Sequence, residues 1–223
     1  MNKISSGSDI IDELIDGGYE TEIITTIYGP AGSGKTNFCM LCAISVAKNK
    51  KVIYIDTEGS FSINRFIQLC DDKKILDNII FLKPTSFQEQ SKAIEKIKAL
   101  TENNIGLIII DTIAMLYRLE IGQTEDVYNV NRELGKQISF LNEISRKKNI
   151  PVLITNQVYA NFDDKNKINM VGGDILKYAS KCLIELQNGD GKRRAIIKKH
   201  RSLPEKMLDF VIVGKGIEKL NPG

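Results

Sequence analysis

Residues 21–38 read TEIITTIYGPAGSGKTNF, a β-branched run that stops at a glycine-rich loop and resumes as a helical pattern. Such a stretch folds as a strand, a tight turn and a helix that starts on the turn. The strand part lacks polar alternation, so it must be covered on both faces, which calls for a sheet with helices on either side.

The rest of the chain supplies that sheet. KKVIYID (50–56), NIIFLK (78–83), IGLIIID (105–111) and IPVLITN (150–156) are further apolar strands. Between them lie helical patterns over 35–48, 61–70, 86–100 and 125–148, the third opening on a Ser86/Glu89 capping box. Apolar strands alternating with helices predict an α/β fold with a mostly parallel central sheet flanked by helices. After Gly173 the pattern changes: KCLIEL (181–186), RRAIIKKH (193–200) and LDFVIV (208–213) are joined by turns at 188–191 and 202–205 and read as an antiparallel extension. At 223 residues, with no linker or repeat, the expectation is one domain over 1–223.

Several classes are excluded. No apolar run nears 18 residues and the N-terminus lacks a signal-peptide pattern, so no membrane partner and a cytoplasmic location are expected. A net charge of +3 does not by itself argue for nucleic acid. Cys39 and Cys42 form a C-x-x-C, but Cys70 and Cys182 stand alone and no second pair follows. Helix packing explains the pair better than metal or redox chemistry does.

Gly29-x-x-x-x-Gly34-Lys35-Thr36 fits the phosphate-binding loop in full, between strand and helix. Glycines let backbone N–H groups turn toward phosphate oxygens, and the helix N-terminus adds positive potential. The nucleotide-binding set is Gly29, Pro30, Ala31, Gly32, Ser33, Gly34, Lys35, Thr36 and Asn37, with Lys35 reaching the terminal phosphates. Thr36 offers a hydroxyl to Mg²⁺, and Asp111, closing a buried strand, is the expected carboxylate for that metal. Glu58, in IDTEGSF just past the next strand, is placed to deprotonate water. ATP and Mg²⁺ are the expected cofactors.

These motifs together resemble the RecA/Rad51 recombinase superfamily over nearly the whole chain, most closely an archaeal paralogue branch of it. ISSGSDIIDELIDGGYETEIITTIYGPAGSGKT resembles the entry to the recombinase ATPase core, and YIDTEGSF the segment with the catalytic glutamate. IIIDTIAMLYR resembles the Walker B strand before the first DNA-binding loop, and PVLITNQV the strand ending in a glutamine that senses the γ-phosphate. The resemblance implies a RecA-like P-loop NTPase core, a catalytic role for Glu58 with Lys35 and Gln157, and a second DNA-binding loop over 158–171. By the same resemblance the chain is expected to be the ATPase core alone, without the N-terminal DNA-binding domain and polymerisation motif of full recombinases. Its first loop, RLEIGQTED (118–126), holds one arginine and three acids; in the second, Lys165 and Lys167 face Asp163 and Asp164.

DNA-contact candidates are therefore Arg118, Lys165 and Lys167, and the basic run Lys192, Arg193 and Arg194, which reads either as a solvated strand face or as a phosphate-tracking patch. By resemblance to RecA-like and KaiC-like ATPases, Lys199 and Arg201 are candidate fingers reaching a neighbouring subunit's γ-phosphate. The implied function is an ATP-binding DNA repair and homologous recombination protein. It would be a weak, DNA-independent ATPase acting as mediator or regulator and not as a strand-exchange engine. Its expected partners are single-stranded or branched DNA without sequence preference, a recombinase or Holliday-junction resolvase, and further copies of itself in a weak homo-oligomer. The alternatives are a KaiC-like or replicative-helicase-like ring ATPase, and a nucleotide-gated interaction module with negligible hydrolysis.

Overall fold

The computed structural model describes residues 2–101, 104–160 and 168–220. A two-stranded ribbon, β1 (Lys3–Ile4) with β2 (Tyr19–Glu20), encloses α1 (Asp9–Leu14). The main strands and helices follow in alternation: β3 (Ile24–Gly29), α2 (Lys35–Ala47), β4 (Lys51–Asp56), α3 (Ile63–Leu69), β5 (Ile79–Leu82), α4 (Phe87–Leu100) and β6 (Ile105–Asp111). Next come α5 (Met115–Ile121), α6 (Val127–Lys148), β7 (Val152–Ala160), β8 (Ile168–Met170) and α7 (Gly173–Ala179). β9 (Cys182–Asn188), β10 (Arg193–His200), β11 (Met207–Val213) and β12 (Gly216–Lys219) complete the chain.

The sheet runs β12-β11-β10-β9-β3-β7-β6-β4-β5, with β8 paired to β7 off that path. From β9 to β5 every neighbouring pair is parallel, and from β9 to β12 every pair is antiparallel. The expected fold class is thus observed, with one correction. β9 is not the first antiparallel strand; it lies parallel to β3, because α7, which the sequence pattern does not reveal, carries the chain back to the start of the sheet.

Strand alternation divides the core into two layers. Val52, Tyr54, Leu107 and Ile109 face α1, α2 and α3, while Ile53, Ile55, Ile108 and Ile110 face α4, α5, α6 and α7. All eight are fully buried, as strands covered on both sides require.

Local chemistry sets the helix starts. α3 begins later than the apolar pattern suggests because Ser62 caps it by accepting from Arg65 N. Phe61, one residue before the cap, packs on Phe66 with ring centroids 5.7 Å apart, closing a hydrophobic staple. Asp126 caps α6, so the 125–148 pattern starts at Val127, and of the stretch before it, read as the loop 118–126, residues 118–121 are the end of the helix α5. Ser86 Oγ accepts from Glu89 N at 3.1 Å, while the Glu89 carboxylate reaches one residue further back, to Thr85 N and Oγ1. Those donors hold the Glu89 carboxyl below its usual range. Ser86→Ala should cost about 1 kcal/mol, read as a lower urea midpoint at unchanged slope.

Candidate nucleotide site

The loop after β3 wraps the N-terminus of α2 at the carboxyl edge of the parallel sheet. Gly34 caps α2 at φ 105°, a conformation closed to most side chains. At Gly29 a Cβ would stand 2.2 Å from Leu186 O on β9, so only glycine lets β3 and β9 close beneath the loop. The buried Ser33 Oγ has no hydrogen-bond partner in the protein. Above the loop lies a cavity of about 530 Å³ lined by Lys35, Thr36, Glu58, Asp111, Gln157 and Arg193, among others.

Lys35 Nζ donates to Gly29 O at 2.9 Å and to Pro30 O at 2.8 Å. Burial lowers its pKa, opposed by the Glu58 and Asp111 carboxylates. Asp111, at the end of β6, is surrounded by hydroxyls. Its Oδ2 accepts from Tyr54 (2.8 Å), Thr36 (2.9 Å) and Ser60 (3.3 Å), and its Oδ1 from Thr155. The Asp111–Thr112 peptide is cis.

Glu58 sits on the turn after β4. Asp56 shapes that turn by accepting from Ser60 N and Phe61 N. Glu58 Oε1 accepts from Gln157 Nε2 at 2.7 Å and from Thr112 Oγ1 at 3.1 Å. Gln157 comes from β7, whose register puts it beside Gly29. Tertiary structure thus brings together Lys35, Thr36, Glu58, Asp111 and Gln157, five residues spread over 123 positions of sequence, from 35 to 157.

The donor set fits a nucleotide with a hard divalent cation. The cavity is within the 300–1,000 Å³ range of small-molecule sites, and it is lined by the loop residues Gly32, Gly34, Lys35 and Thr36. Neighbouring oxygens on octahedral Mg²⁺ stand about 2.9 Å apart, which is the Thr36 Oγ1–Asp111 Oδ2 separation. No cluster of three His, Cys, Asp or Glu side chains that could hold a metal occurs among the described residues; Mg²⁺ is ordinarily held by one or two carboxylates with phosphate and water oxygens.

The remaining candidates are dispersed. Lys192, Arg193 and Arg194 line one small hollow with Asp209, but their hydrogen bonds diverge, and Arg193 also lines the nucleotide cavity. Strand alternation sends it to the cavity, where Nε donates to Gly32 O at 3.0 Å, while Lys192 and Arg194 both pair with Asp209 of β11. Arg194 makes two bonds to Asp209, at 2.6 and 2.9 Å, and holds its carboxyl far below the usual range. Lys199 and Arg201 lie at the other end of β10, at the sheet edge opposite the loop. Lys199 donates to Lys177 O and Ser180 O, and Arg201 to Glu20. Arg118 projects from α5 and lines a smaller cavity, about 250 Å³, with Met115, Leu119, Gln157 and Val171. Lys165 and Lys167 fall outside the described residues. Cys39, Cys42, Cys70 and Cys182 are buried free thiols. Burial pushes the first two well above the usual cysteine range, which suits packing and not redox chemistry.

Sequence reading missed Arg65. It donates to Asn37 Oδ1 at 2.8 Å and to the carbonyls of Val213, Gly214 and Gly216, so it ties the start of α2 to the β11–β12 hairpin at the rim of the cavity. No local pattern marks this role, because its partners at the cavity rim lie 28 to 151 residues away. The turn role of Asp56 was readable, since an aspartate in DTEGS is a turn former.

Comparison with known proteins matches the same edge-to-edge architecture. The Rad51 family model covers residues 1–220. A protein called DNA repair and recombination protein RadB from Methanococcus maripaludis is 46% identical over 217 residues, covering 95% of this chain and 99% of its own. One of the same name from Methanobrevibacter smithii is 43% identical over 227 residues, covering 97% and 95%. Among solved structures, the crystal structure of the RadB recombinase superposes with a TM-score of 0.84 at 33% identity, covering 98% of this chain and 100% of that one.

Proposed function

The chain belongs to the Rad51 family, among its RadB members, and from that premise we propose that it is a DNA repair and recombination protein that binds ATP with Mg²⁺, grips DNA according to nucleotide state, and hydrolyses ATP slowly as a mediator for other recombination proteins. The observation that carries this reading is the Glu58–Gln157 contact, 2.7 Å long, at a cavity that also holds Lys35, Thr36 and Asp111.

Each residue has a part that its geometry supports. The loop amides and Lys35 bind and neutralise phosphate oxygens. Thr36 and Asp111 hold the cation, which supplies Lewis-acid charge stabilisation when bound. Glu58 accepts the proton of the attacking water. Gln157 lines both the nucleotide cavity and the Arg118 cavity, so its rotamer is felt on both sides. On the Arg118 side, Tyr159 lies two residues beyond Gln157 and is half exposed, a surface for stacking an unpaired base. Arg118 and Tyr159 are thus the proposed single-strand contacts, while Lys192 and Arg194 are both already paired with Asp209.

Slow turnover follows from where the cations are. Among the described residues, Lys35, Arg65 and Arg193 line the cavity, and the two arginines are bonded to backbone and Asn37. Lys199 and Arg201 are too far along β10 to reach this chain's own cavity, so any action of theirs is on a second copy. Specific ATPase activity should then rise with protein concentration wherever light scattering reports association. A mixture of Glu58→Gln and Arg201→Ala proteins should regain part of the parent rate, since one class of mixed interface joins an intact Glu58 to an intact Arg201. Strictly additive rates at associating concentrations would leave a module that hydrolyses alone or hardly at all.

A further inference from the structure

The sheet has a second charged edge, opposite the nucleotide cavity, at the amino-terminal ends of its parallel strands. There β4, β6 and β7 lie side by side, fixed by the registers Lys51↔Ile105 and Ile108↔Val152. Their ends span about 10 Å at ordinary strand spacing. Each strand is entered from a helix or turn rich in lysine or arginine. Lys48, Lys50 and Lys51 lead from α2 into β4; Lys98 lies in the last turn of α4, before β6; Arg146, Lys147 and Lys148 close α6, before β7. All seven are exposed.

The helices deliver this charge from both faces. α2 packs on one layer of the core and α4 and α6 on the other, so the basic strip crosses the whole edge. α4 and α6 pack together in one apolar cluster, and Lys147, with a smaller effect of Lys98, holds the Glu143 carboxyl down. The stem of Lys50 crosses β6, where a Cβ on Gly106 would meet it at 2.8 Å. Among the described residues, the acids set against these cations are Glu143, paired to Lys147 at 2.6 Å, and Glu22, beside Arg146 in an open hollow. Among the described residues Lys48, Lys51, Lys98 and Arg146 enter no ion pair.

A cation in the last turn of a helix complements its dipole, which accounts for Lys98 and part of the 146–148 run. It does not account for Lys50 and Lys51, which lie past the helix on a turn and a strand start. Like charges in excess of their counter-charges repel one another, so the arrangement favours a polyanionic partner. Among the described residues no exposed large apolar side chain lies on the segments that enter β4, β6 and β7, although Tyr178 stands at the same end of the sheet, on α7 before β9. Binding of single strands draws on aromatic stacking; a basic surface without it fits a duplex backbone, read through its phosphates alone.

We propose that this edge, carrying Lys48, Lys50, Lys51, Lys98 and Arg146, holds the phosphate backbone of duplex DNA, on the face opposite the nucleotide cavity. The proposal rests on the reading that the chain handles DNA, and it gives the molecule two nucleic-acid surfaces at opposite ends of the sheet.

The test uses the full chain with Lys48→Glu, Lys51→Glu, Lys98→Glu and Arg146→Glu combined, and a companion with glutamine at the same four positions. Binding to a mixed-sequence duplex and to a single strand of equal length is followed by fluorescence anisotropy across a salt series, with nucleotide affinity measured in parallel. Duplex affinity should fall about tenfold or more, and its log K against log salt slope should become shallower by about 0.9 for each phosphate that is no longer neutralised. Single-strand and nucleotide affinities should stay within about twofold of the parent. The glutamine protein, which removes charge without adding repulsion, should shift in the same direction by less and gives the answer if the glutamate protein does not fold. Unchanged duplex affinity and slope in the glutamine protein, parallel loss of both DNA forms, or a parent that binds no duplex would each overturn the proposal. A parent that binds duplex at this edge but no single strand would sink the single-strand reading of Arg118 and Tyr159 and leave this one standing.

Discussion

Glu58→Gln protein should bind nucleotide as the parent does and turn it over about 10² to 10⁴ times more slowly, the usual worth of a positioned general base. The substitution keeps the size and the acceptor oxygen that Gln157 Nε2 and Thr112 Oγ1 now contact at 2.7 and 3.1 Å, so the turn built on Asp56 is not disturbed. What it removes is the second oxygen's capacity to take a proton. Single-turnover phosphate release beside equilibrium nucleotide binding separates the two effects. A rate within threefold or so of the parent would place the base elsewhere, with Asp111 excluded by its four hydroxyl donors.

Lys35→Ala should weaken nucleotide binding by about 10- to 100-fold, since a hydrogen bond to a charged group contributes about 1.5–3 kcal/mol, and should abolish measurable turnover. The fold should survive. Lys35 makes its two hydrogen bonds to carbonyls of its own loop, Gly29 and Pro30, and desolvation already opposes its charge, so removing the ammonium relieves a burial cost in the ligand-free protein. The melting temperature without nucleotide should therefore hold steady or rise slightly, while the increase seen on adding nucleotide to the parent should vanish. Unchanged affinity would refute a phosphate role for the 29–36 loop.

The parts of the site legible in the sequence are those whose chemistry is local. The loop 29–36 needs glycine, lysine and threonine at fixed offsets because backbone amides, an ammonium and a hydroxyl must meet one phosphate within a single turn. Asp111 was visible as the polar end of a fully apolar strand, and the four central strands as runs with no polar alternation. The two-layer core follows from the same runs, since a strand buried on both faces writes its own burial into composition.

Tertiary structure alone decided what lies between elements. Gln157 meets Glu58 because β7 inserts between β3 and β6, a strand order that no local pattern states. Arg65 clasps a hairpin some 150 residues away. The 192–194 run looked like one basic patch, but a strand sends neighbours to opposite faces, and pairing with β11 set Asp209 beside two of its three cations. The run of lysines from 48 to 51 carried no meaning by itself either. It became one end of a charged edge only when three strands, 50 to 150 residues into the chain, were laid parallel and their entrances brought within about 10 Å. Periodicity and motif spacing record forces that act within a few residues, so the sequence by itself determined the strands, the helices and the phosphate loop. Strand order and register are settled by the whole core at once, and they determined which side chains share a site.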